Sequence, residues 1–555
     1  MSDNEAIKRL IALLKHHKKV ITVIISYLII STGLSLCIPL LSKAIMDEGF
    51  IGGNKSLLVK MILCSLVIFL ISSVINIIKE RKRINISSSI QYSLAEQSFS
   101  HLVRMKMSYF SNKNYAEVLN NINTDIGNII SIADERVFFV VTQVFSMTGG
   151  IIGLFIIDYR MTILVLLFIP IKYIAMKYFA KQRKKIVDEF ILENQEYTSW
   201  FGNTIAGVRE IKLFGLFKYK YMEFIDRQSR VIQKQNQMNM LNQWNYFTDM
   251  VLVQVLLTII YIIGSNLVFN LQLSVGSVFA FITYSTYVTG PISAILDIGY
   301  WMSGIIPSTK RYYEFMNLEE EDTVKDFSEL PQFGDIEFRN LSFAYENERP
   351  ILDGVDIEIP KGSKLALIGK NGAGKSTMID LLLRMHSPVT GEILLAGKNI
   401  ANISLEEYRN MISVVSQEIY LFNDTIRNNI CLYRQIGDDF IFDICRESGL
   451  NEFISEVSLD CSVGQNGTML SGGQKQKIAL ARALIHDRPI VIFDEATSSA
   501  DTYSEQQINS LLHTRLRDKT VIVITHKKEI LSEMDRIVTL DNGRATVINN
   551  NLFSY

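Results

Sequence analysis

Apolar and polar stretches divide the 555-residue chain into two unlike parts. In the first three-fifths, runs such as VITVIISYLIISTGLSLCIPLL and MTILVLLFIPIKYIA reach or approach the roughly 20 residues a helix needs to cross a ~30 Å hydrocarbon core. Six such segments are expected, near residues 20–45, 57–78, 137–157, 161–180, 248–269 and 275–297. The connections from the second to the third and from the fourth to the fifth are mixed in charge and nearly free of proline and glycine, over roughly 60 residues each. At 1.5 Å per residue a helix would carry such a connection on the order of 40 Å out and back. The spans are therefore expected to continue as long helical hairpins beyond the membrane. After the sixth span the chain turns polar at YYEFMNLEEEDTVKDFSELPQFG, an acidic stretch that ends in Pro331 and Gly334 and reads as a linker. Beyond it, short β-rich runs (IEFRNLSF, KLALIG, ISVVSQ, PIVIFDEA, KTVIVITH) alternate with helical patterns, as in an α/β domain with a largely parallel sheet.

Charge sets the topology. Lys8, Arg9, Lys15, Lys18 and Lys19 precede the first span, and Lys79, Arg81, Lys82, Arg83, Arg104 and Lys106 crowd the first long connection. Lys181, Arg183, Lys184 and Lys185 stand in the second. The intervening loops are short and nearly uncharged, so the N-terminus and both long connections are expected in the cytoplasm. A net charge of −1 and the absence of any long single-sign run give no argument for nucleic acid. The five cysteines (Cys37, Cys64, Cys431, Cys445, Cys461) have neither metal-ligand nor redox spacing and read as reduced bystanders. The start MSDNEAIKRLIALLKHHKKV is amphipathic and basic, unlike a cleaved signal, so the first span is expected to stay in the mature protein. Within the spans, Lys172 and Asp297 are ionisable groups that either face a cavity or reach the interface. Gln143, Ser146, Thr148 and Gln254 are candidates for hydrogen bonds between helices.

GKNGAGKST, from Gly369 to Thr377, fits G-x-x-x-x-G-K-[ST] between a strand-like KLALI and a helix-like MIDLLLRM. Around Asn371, the residues Gly369, Gly372 and Gly374 let backbone N–H groups wrap phosphates, with Lys375 neutralising the β and γ charge. Ser376 is placed to ligate Mg²⁺, and Thr377 closes the motif. IVIFDEA puts Asp494 and Glu495 at the end of a buried strand, near the ligand crevice of a parallel sheet. There Asp494 would hold the magnesium shell and Glu495 would orient a water for in-line attack on the γ-phosphate. MLSGGQKQKIALARALI adds a second glycine-flanked helix start, Ser471, Gly472, Gly473 and Gln474, suited to an anion. One chain thus carries two phosphate cradles.

LSGGQ resembles the signature motif of ATP-binding cassette (ABC) transporters residue for residue, and the other motifs follow in that family's order. The resemblance implies that Tyr345 in LSFAY stacks on adenine, and that Gln417 in VVSQE reaches the metal and the attacking water. It further implies a D-loop role for Asp501 in SSAD, and that His526 in VITHK contacts the γ-phosphate. YFSNKNYAEVLNNINTDIGNI and TIAGVREIKLFG are similar to the two intracellular hairpins of six-helix exporters, whose tips, near residues 111–117 and 206–214, would be coupling helices. LSVGSVFAFITYSTYVTGPI resembles the sixth helix of that type. One departure stands out: SVGQNG places Gln465 where these exporters often carry a glutamate, in a loop thought to touch the coupling helices.

The expected fold class is membrane α-helical, with six transmembrane helices and long cytoplasmic extensions, followed by an α/β P-loop nucleotide-binding domain. The expected domains are a transmembrane domain over 1–316, a linker over 317–334 and an ABC ATP-binding domain over 335–555. The resemblance implies a half-transporter in the cytoplasmic membrane, with the ATP-binding domain in the cytoplasm, that binds ATP and Mg²⁺. It also implies export of a hydrophobic or amphipathic peptide, drug or lipid driven by ATP hydrolysis. Because the P-loop leaves the γ-phosphate open, a second copy docked head to tail is expected to close its SGGQ turn over it. With Glu495 and LSGGQ both intact, a homodimer is the simpler expectation than a heterodimer. The alternative is a membrane ATPase that acts as a regulator or gated channel without transport. A soluble cassette ATPase is excluded by the six spans.

Overall fold

The computed structural model describes residues 1–110, 115–321, 330–345, 350–494, 502–525 and 527–549. It divides into two compact units, Met1–Val103 with Tyr115–Leu318, and Arg104–Asn114 with Glu319–Tyr555.

The first unit is helical throughout its described regular structure. Helix α1 (Asp3–Lys15) is capped by the Ser2 hydroxyl, which accepts the Glu5 N–H, and it buries Ala6 and Leu10. There follow α2 (Lys18–Ala44), a π-helical turn over Ile45–Ile51, α3 (Lys55–Arg104), α4 (Tyr115–Ile130) and α5 (Glu135–Ile157). Then come α6 (Tyr159–Ala206), α7 (Val208–Leu213), α8 (Phe217–Phe269), α9 (Val275–Thr289) and α10 (Pro291–Met316). Six helical stretches are long and apolar enough to cross a membrane: Lys18–Ile51, Lys55–Arg104, Glu117–Ile157, Tyr159–Ala206, Phe217–Phe269 and Val275–Leu296. Along α3 the change of environment is visible residue by residue. Leu63, Leu66, Phe69 and Leu70 are exposed, as suits lipid, whereas Ile86, Ile90 and Leu94 are buried at four-residue spacing.

The sixth span, Val275–Leu296, is the single segment expected over 275–297, with its hydrogen-bond ladder interrupted at one point. Pro291 has no N–H to give the carbonyl four residues back, so α9 ends at Thr289 and α10 restarts with Pro291 in its first turn. Two apolar clusters hold the unit together. One gathers Leu10, Ile24, Leu28, Ile90, Ile129 and Tyr312, and the other Leu154, Val165, Phe168, Leu256, Phe281 and Tyr284. Polar clasps fix the helices within them. The buried Tyr312 hydroxyl donates to Leu94 O at 3.1 Å, and the Arg311 guanidinium forks onto the buried Asp125 carboxylate. Thr148 departs from its expected role, since its hydroxyl donates to Val144 O of its own helix at 2.9 Å.

In the second unit an antiparallel sheet runs in the order β2-β1-β4-β5, from β1 (Ile336–Phe343), β2 (Leu352–Ile359), β4 (Thr390–Leu395) and β5 (Lys398–Asn399). A six-stranded sheet runs β10-β9-β3-β8-β7-β6. Its members are β3 (Lys364–Gly369), β6 (Ile412–Val415), β7 (Ile490–Asp494), β8 (Thr520–Ile524), β9 (Arg536–Asp541) and β10 (Arg544–Asn549). All its pairs are parallel except β9 with β10. IEFRNLSF therefore joins the antiparallel sheet, as its interrupted burial suits, while β7 and β8 are apolar nearly end to end because both faces are covered. Val491 and Phe493 point into one core and Ile490 and Ile492 into the other, so this sheet divides the unit's two cores.

Around the sheets lie α11 (Lys375–Leu382), α12 (Leu405–Arg409), α13 (Ile426–Cys431), α14 (Asp438–Glu447), α15 (Asn451–Val457), α16 (Gly472–Ile485), α17 (Thr502–His513) and α18 (Lys528–Leu531). All five cysteines are free.

Candidate phosphate-binding site

The phosphate loop grows out of the end of β3. Gly369 passes so close to β9 that a Cβ there would lie 2.4 Å from Leu540 O, and Gly374 caps α11 with a φ of +96°, where other residues are strained. Gly372 also has a left-handed φ, +81°, and like Asn371 it is exposed. Lys375 is 6% exposed, and its Nζ donates to Gly369 O at 2.8 Å and Lys370 O at 3.2 Å. The ammonium thus sits in the mouth of its own loop, held by carbonyls that an incoming anion can replace. Ser376 is exposed and Thr377 buried in the first turn of α11, where backbone N–H groups have no carbonyl four residues back.

The parallel sheet brings the other groups to the same edge. β8 lies between β3 and β7, so the phosphate loop and Asp494, last residue of β7, follow strands roughly 10 Å apart. Asp494 is in register with Ile524 at the end of β8. Gln417 is exposed in the loop after β6, the next strand along. Glu495, Asp501 and His526, and residues 111–114 of the first hairpin tip, lie outside the described residues. The second tip, over 206–214, contains the short helix α7, with Leu213 and Phe214 exposed.

Tyr345 follows the end of β1 and packs edge-on against Phe343 and His386, with ring centroids 5.0 Å and 5.4 Å apart. Ile351 links this cluster to the loop. Its N–H donates to Phe343 O at 2.8 Å, and its side chain packs 3.0 Å from where a Cβ on Gly374 would stand. Phe343, His386 and Ile351 were not marked in the sequence, because no motif flags the neighbours of an aromatic residue.

The oxygen donors at this edge, the Ser376 hydroxyl, the Gln417 amide and the Asp494 carboxylate, suit a hard divalent cation. Among the described residues no group of three or more His, Cys, Asp or Glu could cage a metal. Oxygen donors of this kind fit an ion such as Mg²⁺, which arrives with phosphate and keeps several waters.

The second cradle is built differently. Ser471 caps α16 in a reciprocal capping box: its Oγ accepts the Gln474 N–H at 3.3 Å, and Gln474 Oε1 accepts the Ser471 N–H at 2.8 Å. The amides of Gly472 and Gly473 remain at the positive end of the helix, exposed, and a Cβ at either glycine would meet nothing within 4 Å. Among the described residues, no hydrogen bond or ion pair joins this turn to the phosphate loop of the same chain. At Gln465, the preceding loop is a short 3₁₀ turn in which Asn466 is left-handed and its carbonyl accepts Lys475 Nζ at 2.8 Å.

Arg482, near the far end of α16, was also unmarked in the sequence. Its guanidinium donates to Asn429 O at 2.7 Å, Tyr420 O at 3.1 Å and Asn429 Oδ1 at 3.2 Å, tying the helix to the segment that follows Gln417. The clue was available: an arginine inside the apolar IALARALI, four residues beyond the fully buried Ile478. At the end of the same helix, burial and the neighbouring Arg434, Arg488 and Arg482 push the His486 imidazole down to about 4.

Comparison with known proteins matches residues 21–292 to the ABC transporter transmembrane region and residues 352–498 to the ABC transporter domain. The chain is 28% identical over 528 residues to the ATP-dependent lipid A-core flippase of Pectobacterium atrosepticum, covering 94% of this chain and 90% of that one. It is equally identical, over 554 residues, to an uncharacterised ABC transporter ATP-binding protein of Bacillus subtilis, with coverage of 97% and 90%. Its fold is similar to that of a bacterial Atm1-family ABC exporter solved with ATP bound (TM-score 0.83, 22% identity, 95% of each chain).

Proposed function

The chain belongs to the ABC transporter family as an exporter-type half-transporter, and from that premise we propose that it works as a homodimer in the cytoplasmic membrane. ATP binding by the nucleotide domain and ATP hydrolysis coupled to export come with that membership. The substrate we assign is a hydrophobic or amphipathic molecule, whether peptide, drug or lipid. The flippase relative favours the lipid end of that range.

The observation that carries the reading is the pair of glycines at the start of α16. Among the described residues nothing lies within 4 Å of a side chain built at Gly472 or Gly473, yet both are glycine and both are exposed. Close approach by something outside the chain supplies the reason. The γ-phosphate held by a partner's phosphate loop is an anion of the right kind.

In the assigned mechanism Tyr345 stacks on adenine, and the backbone from Gly369 through Gly374, with Asn371, wraps the phosphates. Lys375 exchanges its loop carbonyls for phosphate oxygens, and Thr377 supports the turn. Mg²⁺, when bound, would offset phosphate charge, and Ser376, Gln417 and Asp494 are the residues that would hold it. Glu495 orients a water and takes its proton as the water oxygen bonds to the γ-phosphorus. The bond from that phosphorus to the bridging oxygen then breaks, and ADP leaves with the electron pair. His526 and Gln417 contact the γ-phosphate and the attacking water, while Asp501 borders the facing subunit. The partner's Ser471, Gly472, Gly473 and Gln474 close over the γ-phosphate and add donors where charge builds up. Product release then parts the two nucleotide domains, and the coupling helices near 111–117 and 206–214 pass that motion to the spans.

The test is flux measured together with ATP turnover on purified protein in liposomes. Wild type is expected to move a fluorescent amphiphile only with ATP, and Glu495→Gln to lose both activities while still binding ATP. Steady hydrolysis without flux would support the regulator or gated-channel alternative instead.

A further inference from the structure

Helix α6 turns a stripe of side chains into the bundle, Met161, Val165, Phe168, Lys172 and Met176, and one of them is a lysine. Lys172 is fully buried, and its Nζ lies 2.7 Å from Asp249 Oδ1 on α8. From α10, the Ser293 hydroxyl lies 3.5 Å from the same oxygen. Three helices meet at one ion pair.

The register of α8 shows which way the pair faces. Leu256 and Ile260, both buried, follow Asp249 at two and three helical turns, whereas the exposed Val251, Val255 and Ile262 lie on the other side. Asp249 therefore points into the bundle rather than to lipid, and its side chain still keeps 30% exposure there. Lys172 stands roughly 20 Å along α6 from Tyr159, and Asp249 roughly 30 Å along α8 from Phe269. With the N-terminus cytoplasmic, that depth is the inner half of a ~30 Å core. Asp297, a turn further along α10, has a side chain outside the described residues.

An apolar pair of the same volume would hold these helices at least as well, so a buried ion pair at membrane depth calls for a functional reason. The two charges are not equally accessible. A guest cannot reach the enclosed ammonium without dismantling the pair, whereas the carboxylate side chain keeps 30% exposure.

We propose that the Lys172–Asp249 pair is the polar anchor of the transport site and selects amphiphiles with a cationic head group. Asp249 receives the head group, and Lys172 is the positioning residue and fixed counter-ion that keeps a carboxylate tolerable at this depth. The site lies in the inner half of the core, the leaflet on the cytoplasmic side, so a cation dissolved there loads from the membrane. The inference deepens the exporter reading and rests on it.

Tetraphenylphosphonium and tetraphenylborate, ions of nearly the same shape and opposite charge, provide the probe. In liposomes, wild type should be half-maximally stimulated by the phosphonium at a membrane-bound concentration at least about tenfold below that for the borate. The neutral double variant Lys172→Met/Asp249→Leu should lose that preference. The charge-swapped variant Lys172→Glu/Asp249→Lys should invert it, which a merely structural pair would not do. An ATP-induced rise in melting temperature confirms that each variant is folded. Wild-type preference for the borate, or a swapped variant that still prefers the phosphonium, overturns the inference and leaves the exporter reading standing. ATP hydrolysis with no flux of either ion or of a fluorescent lipid overturns the exporter reading and this inference with it.

Discussion

A methyl group added at Gly473 would meet nothing within 4 Å among the described residues, and the glycine sits in the first turn of a regular helix. Gly473→Ala should therefore leave stability unchanged or raise it by up to about 1 kcal/mol. If the glycine serves a partner's phosphate, turnover should nevertheless fall at least about tenfold, since a donor site for transition-state charge is obstructed. Thermal melting and ATP turnover on the same sample check both halves. At the other end of α16, His486 makes a pH prediction. Its folded value of about 4 lies below the ordinary 6.5, so as pH falls through this window the unfolded chain takes up the proton first. This residue's contribution to stability is thus full above 6.5 and is lost progressively down to about 4. His486→Gln should flatten that part of the acid-melting profile, and an unchanged slope would contradict the assignment.

Among elements, α16 has an open glycine turn at its start and Arg482 bonded to the segment after Gln417 near its end. Arg482→Ala strands the buried Asn429 carbonyl and should cost about 1–3 kcal/mol. Turnover should drop further than the Tm alone explains, because the Gln417 loop loses its tether. The conservative Arg482→Lys, which keeps charge but loses the planar fork, should recover melting better than turnover. How far such elements were legible in the sequence depends on their physics. Membrane spans announce themselves by length and composition and are found where expected, while the glycines of GKNGAGKST mark the left-handed turn seen at Gly372 and Gly374. The antiparallel placement of IEFRNLSF was hidden by a β propensity that carries no information on its partner strand. Thr148 turned to its own helix because a hydroxyl always has the nearer carbonyl four residues back on offer. Asp249, at the edge of an apolar run, was not marked in the sequence. Only helical register, which a run of apolar letters does not display, shows that it faces inward.

For the whole molecule the issue is which nucleotide each signature turn serves. The exposed Gly472 and Gly473 amides, bonded to nothing in their own phosphate loop, are assigned to the partner, and this assignment makes dimerisation a condition of turnover rather than an accessory to it. A heterodimer isolated through two different tags decides it, with one subunit carrying Glu495→Gln and the other Gly472→Asp. Each variant alone as a homodimer should be inactive while still binding ATP. In the heterodimer, service in trans pairs the intact phosphate loop and Glu495 of one subunit with the intact signature turn of the other, leaving one complete site. The account predicts restored ATP turnover, up to about half of wild type if the two sites act independently. Turnover no higher than that of the two inactive homodimers would contradict it.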